Sequence, residues 1–185
     1  MGIYLDYNAS TPIDERVLDV MVDVYKNAYG NSDSRTHTYG DDARKVVEAA
    51  RFQVAKLLGV ESGEVFFTSG ATESNNIAIR GLIEYANGSG KKHVITSAIE
   101  HKSILETVKS LEREGFEVDL VSPDESGRVD SRTIISLLRE DTLLVSLMHA
   151  NNETGIIQPI KEIGDVLKKK GILFHVDATQ SCGKL

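Results

Sequence analysis

A chain of 185 residues, 41% of them hydrophobic, has enough apolar material for one sizeable core and too much for an intrinsically disordered segment. A formal net charge of −7 argues against non-specific binding to nucleic acid or to an anionic membrane surface. The single cysteine, Cys182, rules out an internal disulfide framework and suits a reducing compartment.

The opening "MGIYLDYNAS" has neither a basic region nor an apolar stretch, so it does not read as a secretory signal. Asp6 stands where a myristoylation signal prefers Ser or Thr. No run approaches the ~18 apolar residues that would cross a membrane. A soluble, cytoplasmic protein is the expectation, with residues 1–14 as an extended arm.

Thr11-Pro12 opens a helical pattern in which Val17, Met21, Val24 and Ala28 share one stripe, and Gly30-Asn31 ends it. A polar loop leads to a second helix with Val47, Ala50, Val54 and Leu57 on one face and Gly59 as its cap. From residue 64 strands and helices alternate. "EVFFT", "HVITS", "FEVDLV", "TLLVSLM" and "ILFHVD" read as strands. "TESNNIAIRGLIEYA", "KSILETVKSLERE", "DSRTIISLLR" and "IKEIGDVLKKK" read as the helices between them. Short strands that are apolar on both faces imply a parallel sheet covered on both sides, an α/β fold.

In such sheets ligands gather outside the carboxyl ends of the strands. Four exits carry unusual polar groups: "TSGATE", "AIEHKS", "HANNETG" and "DATQS". The first places a small-residue turn before a helix, which suits a phosphate, although a simple N-cap by Ser69 or Thr72 explains it equally well. His101 sits at the second exit, and a structural or solvated role is open to it. The five histidines show no local metal-binding spacing. The adjacent amides of the third exit suit either a site or loop backbone groups. Asp177 ends an apolar strand, so it needs a cationic or hydrogen-bonding partner, or else caps the following turn.

Taken together, "YLDYNASTPID", "TSGATESNN", "IEHKSIL", "HANNETGIIQPI" and "HVDATQSCGK" resemble the cysteine desulfurases, in the class V group of pyridoxal phosphate (PLP) enzymes. The resemblance runs the length of the chain in order. It implies a fold-type I PLP-dependent transferase large domain over 15–185, a mostly parallel sheet flanked by helices and incomplete at its C-terminus. PLP is the implied cofactor, and no metal is implied. Asp177 matches the carboxylate that keeps the pyridine nitrogen protonated. His101 matches the histidine on the cofactor ring, also a proton-transfer group. Asn152 and Gln180 match contacts to the phenolic oxygen, and Ala71 and Thr72 match part of the phosphate cradle. The implied reaction converts L-cysteine to L-alanine and an enzyme-bound persulfide, a sulfur source for iron–sulfur clusters or thiolation.

Two positions depart from the family pattern. Ser32 stands where a proline is usual, and Cys182 where a small apolar residue is common; Cys182 reads as a packing residue. The family's Schiff-base lysine and catalytic cysteine are expected beyond Leu185, since neither Lys102 nor Lys184 matches the lysine motif. Three expectations follow. The chain alone lacks activity, a second polypeptide segment supplies both groups, and the completed enzyme is a homodimer serving a sulfur-acceptor or scaffold protein. Residues 64–68 are expected to lack a ladder partner, because two later strands separate them from "ILFHVD" in the family sheet. Competing readings are another class V enzyme such as selenocysteine lyase, or a non-catalytic truncated α/β module that binds a partner.

Overall fold

The structure, a computed structural model, describes residues 2–185. It divides into two compact units, one ending at Phe67 and one spanning Thr68–Leu185.

In the first unit, residues 2–14 carry turns but neither helix nor strand. Helix α1 (Glu15–Asn27) starts where the Asp14 carboxylate accepts from the Arg16 backbone N–H at 2.9 Å. Its expected stripe is half-covered only at Val24 and Ala28; Val17 and Met21 are exposed. Helix α2 (Thr38–Leu58) ends at Gly59, whose φ of 68° is the left-handed conformation that glycine adopts without strain. Val47, Ala50 and Val54 are half-buried along it, and Leu57 is exposed.

Residues 64–68, expected as a strand without a ladder partner, belong to no sheet. Ser62–Glu64 form one 3₁₀ turn, and beyond it Val65 is extended without a ladder neighbour. Its carbonyl accepts instead from the Arg51 guanidinium, which also lies 5.1 Å from the Phe67 ring centroid. Phe66 is 80% exposed and Phe67 52%. The β-prone composition is real, but a strand requires another strand beside it.

The second unit is built on a four-stranded parallel sheet. Strands β1 (His93–Ser97), β2 (Glu117–Val121), β3 (Thr142–Met148) and β4 (Leu173–Asp177) lie in the order β2-β1-β3-β4. Helices α3 (Ala71–Arg80) and α4 (Ile83–Ser89) precede β1. Helices α5 (Lys102–Glu112), α6 (Ser131–Ser136) and α7 (Ile160–Lys170) make the three crossovers. The single helix expected before β1 is thus broken at Gly81-Leu82, where the Leu82 N–H turns back to the Ile79 carbonyl at 3.3 Å in a tightened turn.

Two apolar layers sandwich the sheet. Val94 and Leu144 pack with Ile79, Ile104, Val108 and Leu111 of α3 and α5. Ile95, Val145 and Leu147 face the other way, onto Ile134, Ile163 and Leu167 of α6 and α7. Because both faces are covered, β1 and β3 are buried along their whole length. One polar device ties three strands at their amino-terminal ends. Thr142 Oγ1 accepts from the Arg139 backbone N–H (2.7 Å) and lies 2.9 Å from His93 Nδ1. The Asp119 carboxylate can only accept, so His93 Nε2–H donates to Oδ2 at 3.0 Å, and in the neutral ring Nδ1 accepts from the Thr142 hydroxyl.

From β1 the chain continues to β2 on one side and, by way of α6, to β3 on the other. The carboxyl ends of β1 and β3 therefore flank the point where the winding reverses, the usual place for a ligand. Among the described residues no helix is long and apolar enough to cross a membrane.

These layers predict an asymmetry in mutational cost. Leu147→Ala empties a fully buried site between β3 and the α6–α7 layer, and should lower stability by about 2–5 kcal/mol in urea unfolding. Leu120→Ala on β2, where the side chain is 56% exposed, should stay within about 0.5 kcal/mol.

Candidate active site

Asp177 is the last residue of β4 and is 8% exposed. Burial alone would raise its carboxyl pKa, but the donors around it outweigh burial and hold it below the ordinary aspartate value. Oδ1 accepts from the Thr179 hydroxyl at 2.6 Å and from the Thr179 backbone N–H at 3.0 Å. Oδ2 accepts from Asn75 Nδ2 at 2.9 Å. One oxygen thus caps the following turn, while the other faces helix α3. A carboxylate offers about four acceptor sites, so these three bonds leave capacity for a further N–H.

Asn75 extends the arrangement across the cleft. It is buried on α3, and its side-chain amide also donates to Ser103 Oγ at 2.9 Å. Ser103 in turn lies 2.8 Å from His101 Nδ1 through its hydroxyl and 3.2 Å through its backbone N–H. His101 Nδ1 accepts from the Ser103 backbone N–H, so in the neutral ring the proton is on Nε2 and the Ser103 hydroxyl donates to Nδ1. His101 itself is the N-cap of α5 and is exposed. A continuous path His101–Ser103–Asn75–Asp177 joins the second strand exit to the last.

The remaining expected residues lie at the same ends of the elements. Ala71 and Thr72 open α3, whose N-cap is Gly70 with no side-chain cap, so neither Ser69 nor Thr72 closes that end. Thr72 and His101 line one open groove of about 410 Å³ together with Asn76, Ser103 and Thr107. Of the two adjacent amides after β3, Asn151 is structural. Its Oδ1 accepts from the Glu153 and Thr154 backbone N–H groups (2.9 and 2.8 Å), and its Nδ2 donates to the Ile99 carbonyl (3.0 Å). Asn152 is half-buried, with Nδ2 on Glu153 Oε1 at 2.8 Å. Gln180 is half-buried in the turn after Asp177. Cys182, expected to pack, is exposed instead, within the turn of residues 179–184 that follows β4. Among the described residues no cluster of His, Cys, Asp or Glu could hold a metal ion.

Sequence reasoning passed over three members of this site: Asn75, Ser103 and Glu100. Glu100 is 5% exposed, one residue before His101. Its Oε1 accepts from the Ser97 hydroxyl and from the Met148 backbone N–H, the latter at 3.0 Å, while Oε2 is buried with no hydrogen-bond partner. Burial pushes its carboxyl up to about 7, against the pull of Ser97 and Met148 and with help from the charge on Asp177. The only hint in the sequence is a carboxylate three residues past the end of the strand "HVITS".

A group whose folded pKa lies above its unfolded value destabilises the fold as pH rises between the two. For Glu100 that window runs from 4.5 to about 7. Unfolding free energy, compared as wild type against Glu100→Gln, should therefore show a wild-type deficit that grows from pH 4.5 to 7 and is flat outside. Its full size is on the order of 3 kcal/mol at most, at ~1.4 kcal/mol per pH unit. Urea unfolding across that range checks it.

Residues 3–185 match the aminotransferase class-V family. The chain is 48% identical over 183 residues to the cysteine desulfurase IscS of Anaeromyxobacter sp. (strain K), covering 99% of this chain and 45% of that protein. It is 49% identical over 187 residues to the cysteine desulfurase IscS of Pectobacterium carotovorum subsp. carotovorum (strain PC1), covering 100% of this chain and 46% of that protein. Among solved structures, a NifS-like protein superposes with a TM-score of 0.94 at 45% identity, over 100% of this chain and 51% of that one. DndA from Streptomyces lividans gives 0.88 at 49% identity, over 99% and 51%. The chain spans about half the length of the curated relatives it matches. By a match that runs from residue 3 to residue 185 and carries every strand exit described above, the chain belongs to the aminotransferase class-V family.

Proposed function

We propose that this chain supplies the N-terminal half of the site of a PLP-dependent cysteine desulfurase. One observation carries the reading: a carboxylate kept ionised at 8% exposure, at the carboxyl end of a parallel strand, with acceptor capacity to spare. The residues around it fit PLP by their chemistry. Asp177 suits a charged N–H such as that of a pyridinium. The uncapped start of α3, at Ala71 and Thr72, suits a phosphate. Asn152 and Gln180 carry amide donors suited to a phenolate oxygen. Bound there, PLP supplies an electron sink for a substrate amine, and it does so well only while its ring nitrogen is protonated.

The chain's own part is to hold that proton and to move another. Asp177 stabilises the positive ring nitrogen by charge and by hydrogen bond. Asn75 and Thr179 keep the carboxylate aimed and charged. His101, with Nδ1 engaged by Ser103, has Nε2 as its exchanging nitrogen, the position from which a proton can pass to or from the substrate. The substrate in this reading is L-cysteine. Its sulfur atom passes to a protein thiol as a persulfide, and L-alanine is left. Exposed Cys182 is not assigned that thiol. A second polypeptide segment carrying the cofactor lysine and the accepting cysteine belongs to the proposal. So do a homodimer, a cytoplasmic location, and a sulfur-acceptor or scaffold protein for iron–sulfur cluster assembly or thiolation. The names of the relatives support this reading.

Asp177→Asn tests it, because the amide matches the shape without the charge. In the completed enzyme, bound PLP measured by absorbance should be largely retained while alanine formation falls roughly 10²–10³-fold. Turnover near the wild-type rate would reduce Asp177 to a turn cap and remove the basis of the assignment. His101→Ala should likewise impair turnover with the cofactor still bound.

A further inference from the structure

We propose that Glu100 is a positioning residue of this site, a bracket between the exits of β1 and β3 that fixes His101 relative to Asp177. It deepens the reading of the site as a PLP site and rests on it for its functional meaning.

The geometry is specific. Glu100 lies in the short connection between Ser97, where β1 ends, and Lys102, where α5 begins. Its Oε1 bridges that connection to the neighbouring strand, taking the Ser97 hydroxyl on one side and the Met148 backbone N–H on the other. Met148 is the residue of β3 in register with Asp177 of β4, and the next N–H, of His149, donates to the Asp177 carbonyl at 2.9 Å. A second tether runs the opposite way, from Asn151 Nδ2 to the Ile99 carbonyl. The segment 97–100 is therefore pinned to the β3 exit at two points, immediately before the histidine.

Nothing else in the surroundings accounts for so costly a residue. A buried carboxyl with one oxygen unpartnered destabilises the fold, and an apolar residue would fill the same space without that penalty. What an apolar residue cannot do is accept two hydrogen bonds from adjacent strand ends. The charged group of β4 nearest in effect is Asp177, whose negative charge works with burial to raise the Glu100 carboxyl to about 7. A neutral carboxyl serves the bracket well, since it accepts through Oε1 without placing a second negative charge beside Asp177. Glutamine reproduces that acceptor, which separates positioning from charge.

The readout is the state of His101. In the intact protein labelled with ¹⁵N-histidine, the neutral form of His101 should carry its proton on Nε2, and His93, at the opposite end of the sheet, provides an internal reference. Glu100→Gln should keep the His101 pattern. Glu100→Ala should shift or average it while His93 stays put, and should weaken PLP binding, followed by cofactor fluorescence, roughly tenfold, the scale of one or two lost hydrogen bonds. An Ala variant with unchanged His101 signals and unchanged PLP affinity overturns the proposal. Loss of the His101 pattern in Glu100→Gln overturns it as well, because the acceptor alone would then not suffice. Should Glu100→Ala fail to fold, Ser97→Ala decides the matter by removing one arm of the bracket: a displaced His101 pattern supports the proposal, and a wild-type pattern overturns it. Wild-type protein that binds no PLP would sink the proposed function. The histidine spectra would still decide whether Glu100 positions His101.

Discussion

A carboxylate buried at the end of a strand keeps its charge only while its donors are held in place, and the donors of Asp177 come from separate parts of the chain. Thr179 belongs to the turn that follows β4, and Asn75 to a helix a hundred residues earlier. The Asn75 amide has two N–H groups and gives one to Asp177 and the other to Ser103. Through that one side chain the approach of α3 to the sheet, the start of α5 and the orientation of His101 become a single geometric problem. The two apolar layers supply the bulk of the cohesion. This polar path selects which packing of α3 and α5 is compatible with a charged Asp177.

Two carboxyl groups at neighbouring strand exits receive opposite treatment. Asp177 has donors to both oxygens and is driven toward the ionised form, while Glu100 has donors to one oxygen only and is driven toward the neutral form. Each sharpens the other, since a charge on Asp177 disfavours a charge on Glu100. Pairs of titratable groups pushed apart in this way are a common mark of a reactive cleft. Below about pH 7 the charge at these two exits is therefore concentrated on Asp177, at the place where a cationic ring nitrogen would need it.

Much of this was legible in the residues, for identifiable reasons. Strand β3 declares itself as a nearly continuous apolar run because both its faces are covered. The exits declare themselves because polar residues gather where the runs stop. Gly59 marks a helix end by the left-handed conformation it adopts. Asp177 and His101 stood out by position alone. What stayed hidden depends on distance along the chain. Nothing in "SNNIAIR" says that the first of its two asparagines turns inward to a carboxylate at position 177. Nothing in "AIEHKS" separates the buried Glu100 from an ordinary solvated acid. "EVFFT" has the composition of a strand and, as expected, no ladder partner, so it belongs to no sheet. Cys182 is misread as a packing residue, since it lies exposed in the turn after β4.

The threonine–histidine–aspartate contact at the far end of the sheet has a consequence for how the sheet assembles. Thr142, His93 and Asp119 sit on three adjacent strands, and each ring nitrogen of His93 has one partner suited to it. Sliding β3 by one residue against β1 would set Val145, Ser146 and Leu147 opposite Val94, Ile95 and Thr96 in place of Leu144, Val145 and Ser146, two apolar residues and one serine in either alignment. The same slide would leave a fully buried imidazole facing a hydrocarbon side chain, at a cost of about 1–3 kcal/mol for each orphaned group. Misaligned pairings formed early in collapse would thus be short-lived, and the chain would sort its strands at one end of the sheet before the chemistry at the other end has been assembled.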